Sequence, residues 1–283
     1  MRNCTLFFFA FFILYTNQTL EAQEFSVSCN PIIYKQYTEW TKKFSQPDFS
    51  LLKIPNIHRG VIELYILSCA LEKGGMNPKI VLSVVPNYTR GLFEAKNGRV
   101  TMPAETIWKS EADNSLFLSD PVLENGSIEL GVFTLPTNQK MNKVQTLDHL
   151  RSFSAVSSNN WVVNWDTLKA MGVEGHSVTK QESMFKFIGA GRADFMLQEF
   201  STEEDLGIEI AGVRLVPVKN IKVGLMGSRH FAISRKAYNS KKLYEALQIG
   251  LKKMRAGGLI SAAYEEAGFF NPRVKNWTKI FPK

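Results

Sequence analysis

Four histidines, His58, His149, His176 and His230, are scattered along 283 residues, and none stands at a metal-ligand spacing from a cysteine or another histidine. The sequence has no glycine-flanked nucleophile elbow, and no nucleophile stands beside an evident base or pair of differently tuned acids. It therefore offers no catalytic set, and it asks for no cofactor or metal. What it does offer are recognition groups placed just past apolar runs. Ser157-Ser158-Asn159-Asn160 stands between the strand-like Phe153–Val156 and a helix that begins near Trp161. Free backbone N–H groups and hydroxyls at such a start can receive an anionic or carbonyl group, and the same residues can equally act as ordinary caps. Gln198-Glu199 follows the apolar run Ala193–Leu197 in the same way. Arg59 and Arg90 each follow a strand-like run, where they either face a ligand or extend into solvent.

The elements that must carry these groups alternate. Phe49–Ile54 reads as a strand ended by Pro55-Asn56, and a helical run from Val61 to Lys73 stops at Gly74-Gly75. Ile80–Val85 is a second strand, Thr89–Lys96 a short helix closed by Asn97-Gly98, and Val100-Thr101-Met102 opens a third strand. Ile128–Thr134 is a further strand, after which Pro136-Thr137-Asn138 breaks the chain before a second alternating block of strands and helices. Leu215–Val218, Lys222–Met226 and Arg229–Ser234 read as successive strands, and helices over Leu243–Met254 and Ile260–Glu266 close the chain. Such alternation predicts an α/β fold with mainly parallel sheets, in which ligands sit beyond the carboxyl ends of strands. The loops after Ile54, Val85 and Met102 are the candidates in the first block.

At the N-terminus Arg2 precedes the apolar run Leu6–Tyr15, too short for a membrane span, and Leu20-Glu21-Ala22 suits cleavage before Gln23. Residues 1–22 read as a secretory signal peptide, which sends the rest to the periplasm. The remainder is longer than one typical core and favours two lobes. The formal charge of +8 is spread over scattered Lys and Arg, without the basic stripe that nucleic acid would require. Of three cysteines, Cys4 leaves with the signal. Cys29 and Cys69 are a possible disulfide in an oxidising compartment, or Cys69 is a buried small apolar residue in its helix.

Several segments resemble the type II periplasmic solute-binding proteins, in particular the amino-acid-binding branch that serves ABC transporters. Asn97-Gly98-Arg99-Val100 with Thr101-Met102 is similar to the family's entry to its third strand, and Leu118-Ser119-Asp120-Pro121-Val122 to its Phe-Ser-Asp-Pro-Tyr motif. Gly191-Arg192-Ala193-Asp194 resembles the family's second-lobe turn, and Gly250–Gly258 with Tyr264–Phe269 its closing helices. The resemblance spans residues 46–283. It implies a two-lobed periplasmic-binding-protein-like type II fold with two crossing strands as hinge, lobe 1 being 23–134 with 231–283 and lobe 2 being 135–230. The hinge is then expected near Val132–Leu135 and Phe231–Ser234.

The same resemblance implies a monomer that captures a small polar ligand, amino-acid-like or related, without chemistry. The partner is an inner-membrane ABC permease or, alternatively, a membrane sensor. Members place an Arg on the ligand carboxylate ahead of Ser-Asp-Pro. Here that stretch is Trp108-Lys109-Ser110-Glu111-Ala112-Asp113, so Lys109 is the available cation, a point charge rather than a planar fork. The family's acid for the ligand amine falls on Glu199. Ser157, Ser158 and Asn160 match the second-lobe helix start, and Trp108 and Trp161 stand one on each lobe, as ligand platforms or as core. Arg90 completes the expected site.

Overall fold

The computed structural model describes residues 22–43 and 57–281. Most of the expected signal peptide, and the expected strand Phe49–Ile54, lie outside the described residues.

The first strand is β1 (Gln23–Cys29), in a stretch whose sequence reads as a polar lead-in. Phe25, Val27 and Cys29 alternate into the core, the period of a strand with one apolar face. Helix α1 (Pro31–Lys43) follows, its first turn capped by the Asn30 side chain, which accepts from the Ile33 N–H at 3.0 Å. Helix α2 (Arg59–Lys73) buries residues 60–67 on nearly every face, the pattern of a helix covered on all sides. Strand β2 (Pro78–Val84), helix α3 (Tyr88–Lys96) and strand β3 (Met102–Pro103) complete a parallel sheet in the order β2-β1-β3.

After two short strands, β4 (Ile107–Trp108) and β5 (Leu116–Leu118), the chain leaves this unit through β6 (Glu129–Thr134). The second unit comprises α4 (Leu147–Leu150), β7 (Ser154–Ser157), α5 (Val162–Met171), β8 (Glu174–Ser177), α6 (Gln181–Gly189) and β9 (Met196–Gln198). Strands β7 and β8 are parallel, and a parallel bridge between Ala155 and Phe195 sets the approach to β9 beside β7. A compact core of Phe133, Val156, Met184, Phe185, Ile188 and Met196 fills this unit.

β10 (Ile208–Ile210) turns back into β11 (Val213–Gly224), and β11 is the strand on which the sequence reading needs correction. Leu215–Val218 and Lys222–Val223, read as parts of two strands, belong to one, antiparallel to β6, with a register shift between Pro217 and Lys222. Asn220 sits in the shift at φ 66°, a left-handed conformation that Asn tolerates better than most residues. Phe231–Ser234, expected as the returning hinge strand, is not beside β6. Strands β12 (Arg229–His230) and β13 (Ala232–Ser234) pair with β4 and β5, so the chain is already back in the first unit there. The residues are strand-like as expected, but apolar character alone does not name a strand's partner.

Helices α7 (Ser240–Ala256) and α8 (Leu259–Glu266) return over the first sheet, and β14 (Thr278–Ile280) adds in parallel to β11. The α2–α7 contact depends on two glycines. A Cβ on Gly250 would fall 1.7 Å from the Ala70 carbonyl oxygen, and one on Gly74 would fall 2.0 Å from that of Ala246. The β6–β11 crossing carries a buried cation: Lys222 Nζ bonds Glu129 Oε2 at 2.6 Å and the carbonyls of Val274 and Lys275 at 3.0 and 3.2 Å. The charge is thus matched by an acid and two backbone acceptors, as a buried ammonium requires.

Cys29 and Cys69 are both free, so the possible bridge does not form. Cys29 ends β1 near Glu105, and burial, with Glu105, pushes its thiol up to about 11. Cys69 lies on α2 with Glu72 and Tyr37 as neighbours. The two thiols therefore sit in separate surroundings.

Candidate functional site

Beyond the carboxyl ends of β1, β2 and β3 lies a small pocket. Ser28 and Cys29 contribute from the end of β1 with Asn30 just after it, Asn87 from the β2–α3 turn with Tyr88 at the start of α3, and Pro103 from the end of β3 with Glu105 beyond it. This is where an α/β sheet gathers polar loop groups, and two of the three loops singled out in the sequence, those after Val85 and Met102, supply it. Glu105, Tyr88 and Asn30 were not among the expected site residues. Their signal was positional: each lies within a few residues of a strand's carboxyl end.

A buried polar network stands behind the pocket. The Glu63 side chain is fully buried and accepts from Arg59 Nη1 at 2.5 Å, from the Thr106 N–H at 2.9 Å, from the Thr106 hydroxyl at 2.6 Å and from the Tyr264 hydroxyl at 3.0 Å. Arg59 also reaches Glu105 Oε1 at 3.3 Å. Burial works against the Arg59 charge, but Glu63, Tyr264 and Glu105 outweigh it and hold the guanidinium more firmly protonated than usual. Arg229, likewise buried, donates from Nε to the Thr106 hydroxyl at 3.0 Å and from Nη2 to the Thr106 carbonyl. Its guanidinium lies 4.6 Å from the centre of the Trp108 ring and 5.9 Å from that of Tyr88. Tyr88 in turn donates to Glu111 Oε2, the oxygen that also accepts from the Trp108 N–H at 2.8 Å. Burial raises the Glu105 carboxyl above its ordinary range, although Arg59 pulls it down.

The expected first-unit residues have divergent environments. Trp108 is half-buried and packs on the main core, and a Cβ on Gly227 would meet its ring at 2.9 Å. Lys109 is exposed, and its N–H bonds the Ser228 carbonyl at 3.0 Å. Arg90 is exposed and turned along its own helix, paired with Glu94 at 2.6 Å and stacked over Phe93.

In the second unit the expected residues come to one end of adjacent strands. Ser157, the last residue of β7, and Ser158 just past it are buried, and Ser158 builds the turn, its hydroxyl accepting from the Asn160 N–H at 3.2 Å and its carbonyl from the Trp161 N–H at 3.0 Å. Asn160 is exposed, and Trp161, at the N-cap position of α5, is 37% exposed. Glu199, exposed and one residue past β9, has no hydrogen bond or ion pair among the described residues. Gln198 beside it bonds Gln181 at the start of α6, 3.1 Å away.

One Ser–His contact was not legible in the sequence. Ser228 Oγ lies 2.7 Å from His230 Nε2, and His230 Nδ1 lies 2.7 Å from the Ser119 carbonyl oxygen. The ring is 6% exposed, and burial lowers its basicity. With a backbone carbonyl in place of a carboxylate behind the imidazole, the contact fastens β12 to the Ser119 turn. No group of three or more potential metal ligands occurs among the described residues.

At the level of sequence, no protein family and no curated protein matches the chain. Solved structures do. Substrate-binding domain 2 of GlnP from Lactococcus lactis, in its open conformation, is 15% identical, with a TM-score of 0.52 over 88% of this chain and 97% of that one. The probable amino-acid ABC transporter extracellular-binding protein YtmK of Bacillus subtilis is 12% identical, with a TM-score of 0.55 over 88% of this chain and all of the other. Coverage that complete, together with the two α/β units and the β6–β11 crossing, means that the chain has the two-lobed fold of the type II periplasmic binding proteins.

Proposed function

We propose that this chain is an exported solute receptor that closes two lobes around a small polar ligand, holds it without chemistry and delivers it to an ABC permease. The observation that carries the reading is the pocket past the ends of β1, β2 and β3, on a fold whose solved counterparts are named as substrate-binding and extracellular-binding proteins. Lobe 1 supplies that pocket. Lobe 2 supplies Ser157, Ser158, Asn160 and Trp161 with Glu199. With lobe 2 expected at residues 135–230, the reading places the return crossing in β11, which pairs antiparallel with β6 and shifts register between Pro217 and Lys222. Two antiparallel strands with one irregular point supply a hinge that bends without unpacking either lobe.

Export rests on the short apolar run Leu6–Tyr15 and on Leu20-Glu21-Ala22, after which cleavage before Gln23 is expected. Among the described residues, no helix is long and apolar enough to cross a membrane. A periplasmic monomer is the form expected.

The test is a thermal-shift panel of amino acids, amines and organic acids on the chain from Gln23 onward. A ligand at about a hundred times its Kd stabilises by about 2.7 kcal/mol, which raises Tm by roughly 5–10 °C for a chain of this size. A panel in which no compound shifts Tm removes the receptor reading.

A further inference from the structure

Part of the excess positive charge that the sequence spreads along the chain is gathered on one face of lobe 1. Phe93, on α3 and 47% exposed, has the Arg90 guanidinium 5.3 Å and the Arg99 guanidinium 5.8 Å from its ring centre. Both arginines are exposed and share one acid, Glu94, at 2.6 and 3.2 Å. A second stack lies beside the first. Arg235, just past β13, stands 3.9 Å from the centre of the Phe117 ring, which stacks on Tyr244 of α7 at 5.1 Å. Lys236 joins the two stacks, since a Cβ on Gly98, next to Arg99, would fall 2.7 Å from the Lys236 Cβ. Tyr238, 91% exposed, projects from the turn into α7.

The charges on this face do not cancel. Lys96 pairs with Asp113 at 2.9 Å and Lys241 with Glu245 at 4.0 Å, and Glu94 neutralises one of its two arginines. Arg235 bonds the Leu116 carbonyl at 3.0 Å and, like the exposed Lys236, has no ion pair among the described residues. Three positive charges are left in excess. The face ends one turn beyond Tyr244 on α7, where Gln248 holds Asp120. Stacking on the rings already orders the guanidinium groups, so less rotamer freedom is lost when they meet an anion. The apolar share consists of single rings set among cations. That is the composition of a contact at the membrane interface and not of the charge-depleted centre of a protein–protein interface.

We infer that this face of lobe 1 rests on an anionic phospholipid bilayer, with its cations on the lipid phosphates and the Phe93 and Tyr238 rings at headgroup depth. Such a contact holds an exported chain at a membrane without a spanning helix. The inference takes export from the reading above but not ligand capture, and the thermal-shift panel does not bear on it.

The experiment is co-sedimentation of the chain from Gln23 onward with vesicles of phosphatidylcholine alone and of equal parts phosphatidylcholine and phosphatidylglycerol, at about 0.1 and about 0.5 M NaCl. The chain partitions onto the anionic vesicles, leaves them at the higher salt and stays off phosphatidylcholine. Arg99→Gln combined with Lys236→Gln weakens the partition roughly twentyfold, at about a factor of five per basic residue. Tyr238→Ala, a change at a side chain almost wholly in solvent, weakens it with Tm unchanged. Lys140→Gln combined with Lys143→Gln makes the same charge change on exposed lysines of lobe 2 and leaves the partition within about twofold of wild type. No partition onto anionic vesicles overturns the inference. So does equal partition onto phosphatidylcholine, or a lobe 2 variant that loses as much as the lobe 1 variant. Each of these results leaves the receptor reading standing.

Discussion

Glu63 is the position at which a single side chain ties the most structure together, and replacing it by Gln is the sharpest test of the buried network. The carboxylate is entirely inside and takes four hydrogen bonds, one from a guanidinium. Gln keeps the shape and one acceptor oxygen, but its amide nitrogen must then face either the Thr106 N–H or the Arg59, Tyr264 and Thr106 donors. Two donors then oppose each other in a dry site, and the Arg59 charge loses its principal partner. Removing one member of a buried pair costs about 3–5 kcal/mol, and hydrogen bonds to charged groups contribute about 1.5–3 kcal/mol each, so a loss near 4 kcal/mol is expected. For a chain of this size that lowers Tm by roughly 8–16 °C. Urea denaturation followed by tryptophan fluorescence measures it, and the cycle with Arg59→Met isolates the pair. Coupling above about 1.5 kcal/mol is expected, because the two side chains touch. A Glu63→Gln protein within about 1 kcal/mol of wild type, or additive single changes, would refute the view that this network holds α2 to the Thr106 segment and to α8.

Gly250→Ala gains helix propensity of about 1 kcal/mol but forces its methyl group against the Ala70 carbonyl. The expected net loss is about 2 kcal/mol in urea, and equal or greater stability would show that α2 and α7 separate freely. Burial holds the Glu105 carboxyl above its ordinary range, so the wild type binds more protons folded than unfolded and loses stability as pH rises through and above that range. Glu105→Gln removes this slope. Its Tm relative to wild type should improve from pH 4 to pH 7, and parallel Tm–pH curves would contradict the burial argument. Trp161, exposed beside the second-lobe turn, should report ligand by fluorescence, and Trp161→Phe should abolish that change while leaving unfolding stability within about 0.5 kcal/mol of the original. A signal that survives in Trp161→Phe would place the report on another of the five tryptophans and count against Trp161 at the site.

The architecture was legible wherever a local pattern determined it. The run from Val61 to Lys73 reads as a helix, and in the structure it is one, buried over residues 60–67 and packed against α7. The Ser157–Asn160 turn and Glu199 were legible because polar residues that interrupt an apolar run mark the end of a strand, and ligand groups gather at strand ends. What was not legible depends on which segments meet. β11 and β13 both read as apolar strands, yet one pairs with β6 and the other with β5, a choice made by strands more than 80 residues earlier in the chain. The same holds for charge. Arg59 and Arg90 are equivalent in sequence as cations after strands, but Glu63 and Thr106 draw the first inward, while Glu94 keeps the second on the surface. The absence of an arginine between Trp108 and Asp113 suggested that Lys109 would stand in for it. In the structure Lys109 is exposed, Arg59 and Arg229 are turned into the interior, and Glu105 lines the pocket. A missing cation in a motif therefore says less about a ligand than the partner each remaining charge has found.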